Sequence, residues 1–365
     1  MTLPLTGLKV VAVEQAVAAP FATSRLADAG AEIIKIERPE GDFARGYDAA
    51  AAGQSSYFVW LNRGKSSVVM DLADPADKAR FAELVAGADV LVQNLKRGAL
   101  ARLGFAPEDL LARHPRLITC SITGYGEGGP LADRKAYDLL IQAESGLCSI
   151  TGGPSEPSRV GMSIVDVATG ATAHAAILEA LIARGITGQG ANISISMFDV
   201  MADWLTVPLL NHEAGHSPRR VGMAHPSISP YSAFATSDGQ LVLISVQSDR
   251  EWRKLAEIFL GRPDLGRDPR FATNVARVAN RDQTDAIVAA AFAGMTADQA
   301  VARLLQADVA LARVNDMAGL SAHPHLRRIT VQTPNGPVSY PAPAPQIAGR
   351  ARGYRPVPAL GEMQE

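Results

Sequence analysis

Cysteine and net charge are both scarce in this chain, and each absence excludes a class of protein. Only Cys120 and Cys148 occur in 365 residues, too few for a disulfide framework or a cysteine-rich zinc site. Lysine and arginine number 35 against 37 aspartate and glutamate residues, a formal net charge of -2. Because there is no overall basic field, we expect no nucleic-acid partner, and an anionic ligand must meet a local cluster of cations.

Long apolar segments are also missing from the sequence. The first residues lack the basic start and apolar core of a secretory signal, and we find no uninterrupted apolar run of the about 18 residues that cross a bilayer. Hydrophobic residues make up 47% of the chain and charged residues 20%, which is typical of a folded soluble protein. We therefore expect a cytoplasmic protein without a membrane partner.

An alternation of strands and helices is present from residue 1 to residue 200. Short β-branched runs predict buried strands, and alanine-rich amphipathic stretches between them predict helices. The strands are expected at 8–13, 31–37, 67–72, 89–93, 117–123 and 191–196, and the helices at 21–28, 75–88, 99–113 and 168–183. This order predicts an α/β fold, a doubly wound and mainly parallel sheet with helices on both faces.

The pattern changes after residue 200, where hairpins and helices are typical of a smaller α+β domain. The turn sequence Ser-Asp-Gly at 237–239 lies between two apolar runs and predicts a hairpin. Pro-Asn-Gly at 334–336 predicts a second one. The stretch 201–224 is expected to be a linker. Two domains also fit the length, because single cores stop growing near about 250–300 residues.

Two familiar motifs occur in contexts that do not suit them. HEAGH at 212–216 matches the H-E-x-x-H pattern of zinc hydrolases, in which His212 and His216 would bind the metal from one helical turn apart. A glycine lies inside it and Ser-Pro follows, so we interpret it as a helix end and predict no metal site. GYGEGG at 124–129 resembles a dinucleotide loop, but Pro130 follows it instead of an apolar helix. We interpret it as a glycine-rich active-site or surface loop.

Two aspartates lie where helices are expected to begin. Asp166 precedes the long helix at 168–183, and Asp138 opens a shorter helical run. Aspartate is a favoured N-cap residue because its carboxylate accepts backbone N–H bonds, and a helix N-terminus also orients a carboxylate. The residues by themselves leave a capping role and a chemical role open for both.

A set of short stretches between residues 5 and 362 forms the strongest pattern in the chain. They are LTGLKVVAV at 5–13, PFA at 20–22, LADAGAEIIKIERP at 26–39, GD at 41–42, NRGKSS at 62–67, DL at 71–72, QNL at 93–95, RLG at 102–104, SITGYG at 121–126, YD at 137–138, GMSIVD at 161–166 and PALGE at 358–362. Together and in this order, they resemble the class III CoA-transferases, the CaiB/BaiF family that includes formyl-CoA transferase.

The resemblance implies a domain organisation. In that family a large doubly wound domain is joined to a small one, and two subunits interlock as a homodimer. The implied domains here are a large CoA-binding domain at 1–200, a small α+β domain at 225–320, and a C-terminal segment at 321–365 that returns to the large domain. Coenzyme A is then a substrate, and no cofactor is expected.

The resemblance also implies a mechanism, because the family's catalytic aspartate falls on Asp166. CoA would move from an acyl-CoA donor such as succinyl-CoA to a small carboxylic acid, through an aspartyl anhydride and an aspartyl-CoA thioester. Tyr137 and Asp138 match neighbouring catalytic positions. The related α-methylacyl-CoA racemases carry histidine where Tyr137 stands, so the tyrosine favours transfer over racemisation. The role of Asp138, an acid behind the site or a cap, stays open.

Six positions match residues that bind CoA in similar enzymes: Gln15, Arg38, Leu72, Asn94, Leu95 and Arg102. The two arginines would hold phosphates by charge-assisted hydrogen bonds. Two departures from formyl-CoA transferase occur. Ala73 stands in place of a CoA-contacting lysine, and Lys96 and Arg97 replace a small residue and a proline. We expect the two extra cations to compensate.

The acceptor acid is predicted from three stretches that look like those of members using C4–C6 dicarboxylates: GDFARGY at 41–47, YFVWLN at 57–62 and AHPSISPY at 224–231. A second carboxylate needs its own partner, and Arg45 and His225 are the candidates. The formyl/oxalate branch is less expected, because the implied small domain contains no run of four glycines. An intramolecular CoA-transferase would look the same at Asp166, and a zinc hydrolase is the alternative from another class.

Overall fold

The structure is a computed structural model that describes residues 3–348 and 352–363. The chain divides into two compact units. The first comprises Met1–Cys148, Arg159–Leu210 and Arg327–Glu365, and the second comprises Ser149–Ser158 and Asn211–Leu326.

A six-stranded parallel sheet forms the centre of the first unit. Its strands are β1 (Lys9–Val13), β2 (Glu32–Glu37), β3 (Lys65–Val69), β4 (Val90–Gln93), β5 (Ile118–Thr123) and β6 (Ala191–Ser196). They lie in the order β3-β2-β1-β4-β5-β6, and every neighbouring pair is parallel. The predicted doubly wound parallel sheet is confirmed. Only β3 is displaced, since it begins two residues before the predicted 67–72.

Helices cover both faces of this sheet. Up to residue 213 they are α1 (Ala18–Asp28), α2 (Ser56–Leu61), α3 (Pro75–Ala86), α4 (Ala99–Arg102), α5 (Pro107–Arg113), α6 (Asp138–Glu144), α7 (Leu147–Ile150), α8 (Ile164–Thr187), α9 (Met197–Trp204) and α10 (Thr206–Glu213). Residues of β1 alternate between two cores. Val10 and Ala12 pack with α1 and α8, whereas Val11 and Val13 pack with α3, α4 and α5. Strands buried on both faces explain the continuous apolar runs in the sequence.

The longest helix, α8, begins four residues before the predicted 168–183 and ends at Thr187. Gly188 follows in the left-handed conformation (φ 76°), a common way to end a helix. By length and composition alone α8 could cross a membrane. Core helices of soluble proteins have the same properties, and α8 packs along α1 in the first unit.

The second unit has its own small antiparallel sheet. Its strands β7 (Tyr231–Ala235), β8 (Leu241–Ser245) and β9 (Ala310–Arg313) lie in chain order. The helices are α11 (Asp249–Lys254), α12 (Asn274–Ala279), α13 (Arg281–Ala293), α14 (Ala297–Gln306) and α15 (Met317–Ser321). The hairpin predicted at 237–239 is confirmed, because β7 and β8 pair across it. Trp252, Phe259 and Phe292 lie in the unit's separate apolar core.

The C-terminal part of the chain belongs to the first unit. Here β10 (Arg328–Thr333) and β11 (Gly336–Pro341) form the hairpin predicted from Pro-Asn-Gly. Farther on, the N–H of Gly64 donates to the carbonyl of Pro356 (2.7 Å), and the N–H of Ser67 donates to that of Glu362 (2.7 Å). These bonds attach the tail beside β3.

The boundary between the units differs from the predicted linker at 201–224. That stretch contains the end of α9 and all of α10, and the first unit extends to Leu210. The short segment Ser149–Ser158 also belongs to the second unit. Tertiary contacts set this boundary, and local composition does not encode them.

Candidate active site

The sheet order reverses between β1 and β4, and the loops after these two strands meet there. The N–H of Gln15 donates to the side-chain oxygen of Asn94 (2.9 Å), and the Asn94 amide donates to the carbonyl of Gln15 (2.8 Å). Ligands of open α/β sheets bind at such a reversal, beyond the carboxyl ends of the strands. Two predicted CoA-binding residues therefore join the strand ends at the expected place.

The buried carboxylate of Asp42 binds Ala16, the residue that follows Gln15 in the loop after β1. Ala16 has a φ of 60°, a left-handed conformation that costs energy for a residue with a side chain. Its N–H donates to Asp42 Oδ1 (3.2 Å), and Asp42 Oδ2 accepts from Lys35 Nζ (2.9 Å). The loop conformation thus depends on a buried ion pair beneath it.

That ion pair belongs to a cluster of four buried charges that the sequence analysis missed. Lys65 Nζ lies 2.6 Å from Glu14 Oε1, and Lys35 Nζ lies 3.6 Å from the same oxygen. With Asp42, the cluster has two positive and two negative side chains, all buried. The sequence did contain one signal for this cluster. Lys35 lies inside a strand predicted to be buried, and a buried charge requires a partner.

A cavity of about 600 Å³ opens beside the two loops. Six of the eleven residues predicted for catalysis, CoA binding or the acceptor acid line it: Gln15, Asn94, Leu95, Tyr137, Asp138 and Asp166. They come from four separate parts of the chain. The fold therefore brings most of the predicted chemistry into one chamber within the first unit. Gly124, at the start of the glycine-rich loop, also lines this cavity.

Asp166 is the third residue of α8 and not its N-cap, which is Ser163. The helix reaches the cavity because it packs closely on α1 at Gly170. A Cβ at that glycine would lie 2.4 Å from the carbonyl oxygen of Ala18, so a side chain there would push the helices apart. Close packing at Gly170 thus brings Asp166 to the loop that follows β1.

The electrostatic state of Asp166 is unusual. Burial, and secondly the negative charge of Asp138, raise the pKa of Asp166 to about 7. Across the described parts of the chain, its carboxylate makes no hydrogen bond and no ion pair. A half-buried carboxyl without partners in a cleft is typical of a reactive group.

Asp138 has a capping role, but for a different helix from the one it begins. Its Oδ1 accepts from the N–H groups of Val165 (2.8 Å) and Asp166 (3.2 Å), at the start of α8. Tyr137 beside it is 61% exposed and lines the cavity. Asp138 therefore makes the contacts of a cap at the start of α8, and a further role for it as an acid stays a prediction.

Three aromatic residues, Phe43, Tyr47 and Tyr57, line the cavity together with Asp166. They lie in the stretches 41–47 and 57–62 that predicted the acceptor, but none of them was predicted as a site residue. The rings of Phe43 and Tyr47 lie 5.7 Å apart, and those of Tyr47 and Tyr57 lie 5.6 Å apart. The Tyr57 hydroxyl lies 3.3 Å from Ser163 Oγ. Burial raises the pKa of Tyr47 to about 12, so its hydroxyl stays protonated and can donate a hydrogen bond. These groups offer an apolar wall with a few polar points.

Several cations also line the cavity. Arg97 is paired with Asp133 (3.0 Å), and Arg134 is paired with Glu144 (3.2 Å). By contrast, Lys96, Lys135 and Arg159 line the cavity without a carboxylate partner in residues 3–348 and 352–363. Three unpaired cations can attract an anionic ligand.

Three predicted CoA-binding residues lie outside this cavity. The Arg38 side chain is exposed, and its Nε donates to the carbonyl of Gly41 (3.0 Å). Leu72 is half-buried against the core beneath α3. Arg102 is exposed at the end of α4, where its guanidinium lies 3.5 Å from the carbonyl of Arg97. Their role in binding CoA stays a prediction.

The two residues predicted for the acceptor acid are placed differently. Arg45 makes two hydrogen bonds to Glu37 (2.7 and 2.9 Å), and its guanidinium lies 3.7 Å from the centre of the Phe58 ring. These contacts commit Arg45 to the fold. They also hold the pKa of Glu37 at about 2, despite its burial. His225 lies in the second unit, stacked on Tyr231 with ring centres 5.3 Å apart.

The HEAGH stretch does not form a continuous helix. Helix α10 ends at Glu213, and Gly215 adopts a left-handed conformation (φ 86°). Because of this, His212 and His216 are not one helical turn apart, and His212 Nδ1 lies 2.7 Å from Ser217 Oγ. No group of three His, Cys, Asp or Glu side chains suited to a metal occurs within the described ranges.

Comparison with known proteins agrees with this geometry. The family model described as CoA-transferase family III matches residues 5–364. Succinate--glutarate CoA-transferase of Agrobacterium fabrum is 36% identical over 99% of this chain and 94% of its own length. Acetyl-CoA:oxalate CoA-transferase of Acetobacter aceti is 38% identical over 95% of this chain and 90% of its own.

A solved structure shows the same relationship. A CaiB/BaiF family protein from Brucella suis superposes with a TM-score of 0.86, at 36% identity, over 99% of this chain and 97% of that one. The fold, the cavity at the sheet reversal and these relatives define an enzyme of the CoA-transferase type. The chain belongs to CoA-transferase family III.

Proposed function

We propose that this protein transfers CoA from an acyl-CoA donor to a free carboxylic acid, with Asp166 as the covalent nucleophile. The observation that carries the proposal is the Asp166 carboxylate itself, which faces a cavity without partners and has a pKa raised to about 7. An acyl exchange of this kind needs a carboxylate that is free to attack, and burial removes the water that would compete.

The steps balance around this one carboxylate. An Asp166 oxygen attacks the donor thioester carbonyl, the C–S bond breaks, and an anhydride and CoA thiolate result. The thiolate attacks the aspartyl carbonyl, which releases the donor acid and leaves an aspartyl-CoA thioester. The acceptor carboxylate attacks this thioester, its C–S bond breaks, and a second anhydride and CoA thiolate result. CoA thiolate then attacks its acyl carbonyl, so the acceptor leaves as a thioester and Asp166 is regenerated.

The loops at the sheet reversal support CoA binding. Gln15, Asn94 and Leu95 line the cavity beside the unpaired ammonium groups of Lys96 and Lys135. We infer that these two lysines meet phosphate oxygens of CoA, since ammonium groups form charge-assisted hydrogen bonds to phosphate. Lys96 then supplies part of the CoA contact that formyl-CoA transferase makes through a lysine at the position of Ala73.

For the acceptor we propose a dicarboxylic acid. Both curated relatives are named for such acids, glutarate and succinate in one and oxalate in the other. The second carboxylate needs a cation, and Arg45 is committed to Glu37. Arg159 lines the same cavity as Tyr47 and Tyr57, and its guanidinium has no carboxylate partner among the described residues. We propose Arg159 as the group that binds the distal carboxylate.

A transfer assay by mass spectrometry tests the function directly. Purified protein receives succinyl-CoA and a mixture of free acids that includes glutarate, mesaconate, oxalate and the monocarboxylic acid butyrate. A new acyl-CoA is expected from one of the dicarboxylic acids. If every acid is returned unchanged while 2-methylacyl-CoA, supplied in a separate incubation, is epimerised, the racemase alternative replaces transfer. Migration of CoA between the two unequal carboxyl groups of mesaconyl-CoA, also supplied separately, would indicate the intramolecular reaction.

Arg159→Gln is expected to lower kcat/KM for the best dicarboxylic acceptor about 10²-fold, because an Arg–carboxylate pair in a cavity is a strong contact. Transfer to butyrate, which has no distal carboxylate, should change less than about threefold. Lys135→Gln is the matched control: it removes another cation of the cavity, one that we assign to CoA, so it should lower transfer to both kinds of acid by the same factor. Equal losses for both kinds of acid in Arg159→Gln would contradict the assignment.

We also propose that the protein is a homodimer. Large apolar side chains of the first unit are exposed on α8, α9 and α10: Ile182, Ile186, Trp204, Val207 and Leu210. Exposed apolar side chains of this number mark surfaces that bind another protein. Light scattering after size-exclusion chromatography should give twice the 38.5 kDa mass of the chain, and the mass of one chain would exclude the dimer.

A further inference from the structure

Asp138 contacts the start of the helix that carries Asp166, although 28 residues separate the two in sequence. The two N–H groups that it accepts belong to the second and third residues of α8. The N-cap residue Ser163 makes no side-chain cap bond. The Asp138 carboxylate therefore satisfies N–H groups that the helix itself leaves unpaired.

Gln142, which was not predicted as a site residue, binds the second oxygen of the Asp138 carboxylate. It is fully buried on α6, and its Nε2 donates to Asp138 Oδ2 (2.7 Å) and to the carbonyl of Met162 (3.4 Å). Its Oε1 accepts from the N–H of Val160 (2.9 Å). One amide thus connects α6, the carboxylate and the segment that leads into α8.

We propose that Asp138 is a positioning residue for Asp166: its carboxylate fixes the first turn of α8, its charge acts on the nucleophile, and Gln142 keeps it in place. The inference rests on the proposed role of Asp166. Both oxygens of Asp138 are engaged by donors, so in this arrangement it accepts hydrogen bonds and does not deliver a proton to substrate. Asp138 is thus not a catalytic residue.

The charges around Asp166 leave Asp138 as its main electrostatic neighbour. The other titratable and charged groups that share its cavity are Tyr47 and Tyr57, Tyr137, the Arg97–Asp133 and Arg134 ion pairs, and the unpaired Lys96, Lys135 and Arg159. Burial and the Asp138 charge are what raise the pKa of Asp166. Because the nucleophile attacks as a carboxylate, kcat/KM is expected to rise with pH through about 7.

The test is the pH profile of kcat/KM in Asp138→Asn and Asp138→Ala. Asparagine keeps an acceptor oxygen for the two N–H groups but removes the charge. We expect the midpoint of the acid limb to move down by about one pH unit or more. Alanine removes the acceptor as well, and should further lower kcat at pH 8.5 by about tenfold with KM for acyl-CoA nearly unchanged. Gln142→Met should lower kcat in the same way.

A readout without turnover separates this inference from the proposed function. Titration of ¹³Cγ-labelled aspartate by NMR, assigned with Asp166→Asn, follows protonation of Asp166 directly. A midpoint in Asp138→Asn that stays within about 0.3 units of the unmodified protein would overturn the inference and leave Asp138 a merely structural cap. A shifted midpoint in a protein that transfers no CoA would support it while rejecting the transferase. Asp199→Asn, which removes one charge at the same position of α9, should leave the midpoint unchanged.

Discussion

Asp166→Asn is expected to reduce CoA transfer by about 10⁴-fold or more, because the amide cannot form the anhydride on which every later step depends. The measurement is single-turnover formation of the new acyl-CoA from succinyl-CoA. Binding of the acyl-CoA should survive, because the contacts proposed for CoA lie on other residues. Asp166→Ala serves as a second variant, since asparagine can revert to aspartate by deamidation.

The matched control is again Asp199→Asn. Asp199 and Asp166 are both the third residue of a helix, in α9 and α8, but Asp199 does not line the cavity. Its replacement should leave transfer within about twofold. Transfer retained in both Asp166 variants would contradict a covalent role for this residue.

Asp166→Asn should also make the protein more stable at alkaline pH. The pKa of Asp166 in the folded protein, about 7, exceeds the usual 3.8 of an aspartate. Proton binding therefore favours the folded state below pH 4, and this contribution is lost as pH rises through 7. Asparagine does not ionise. We therefore expect the free energy of unfolding of the Asp166→Asn protein to exceed that of the unmodified protein by about 3–4 kcal/mol at pH 8. The gain should shrink towards pH 4, which urea unfolding at both pH values would measure.

Glu14→Gln is expected to destabilise the first unit by about 3–5 kcal/mol, the usual effect of removing one partner from a buried ion pair. Glu14 accepts from Lys65 at 2.6 Å and from the Thr23 hydroxyl at 2.6 Å. Without it, Lys35 and Lys65 face a single remaining carboxylate in the cluster, that of Asp42. Burial already lowers the pKa of Lys65 to about 8, so this lysine should lose its proton in the variant. Urea unfolding at pH 7 measures the loss.

A double variant separates charge balance from packing. Glu14→Gln with Lys65→Met restores one positive and one negative charge, Lys35 and Asp42, and should recover most of the lost stability. Glu32→Gln is the control, because Glu32 is an exposed carboxylate at the start of β2. Its replacement should change the free energy of unfolding by less than about 0.5 kcal/mol. A double variant as unstable as Glu14→Gln would show that charge balance is not the cause.

The sequence predicted the parallel sheet because its signal is local and repeated. A strand buried on both faces is apolar along most of its length, as in β1 (KVVAV) and β4 (VLVQ), whereas β5 (ITCSIT) alternates apolar residues with buried Thr and Ser. The two hairpins followed equally from their turns at 237–239 and 334–336, where glycine supplies the backbone conformation that other residues resist. The end of α8 was predicted less closely, at residue 183, whereas the helix continues to Thr187 and ends at the left-handed Gly188.

The role of a single charged residue was harder to predict when it depended on which other side chain or backbone group that residue contacts. Arg45 was chosen because a dicarboxylate needs a cation, but its guanidinium already pairs with Glu37, eight residues earlier in the chain. Arg159 was not among the residues predicted from the sequence, and its place in the wall of the cavity is what distinguishes it. The sequence placed Asp138 at the start of its own helix, and only the packed chain shows that its carboxylate caps the helix of Asp166.

The sequence by itself determined the strands of the parallel sheet, the two hairpins, the family and the residue that we propose as nucleophile, because each depends on neighbours within a few positions or on motifs in a constant order. Only the tertiary structure decided which charges pair. Glu14 and Lys65 are 51 residues apart in sequence, yet they form one buried ion pair beneath the active-site loop. The energy of a charge depends on what surrounds it in space, and burial and distance come only from the packed chain.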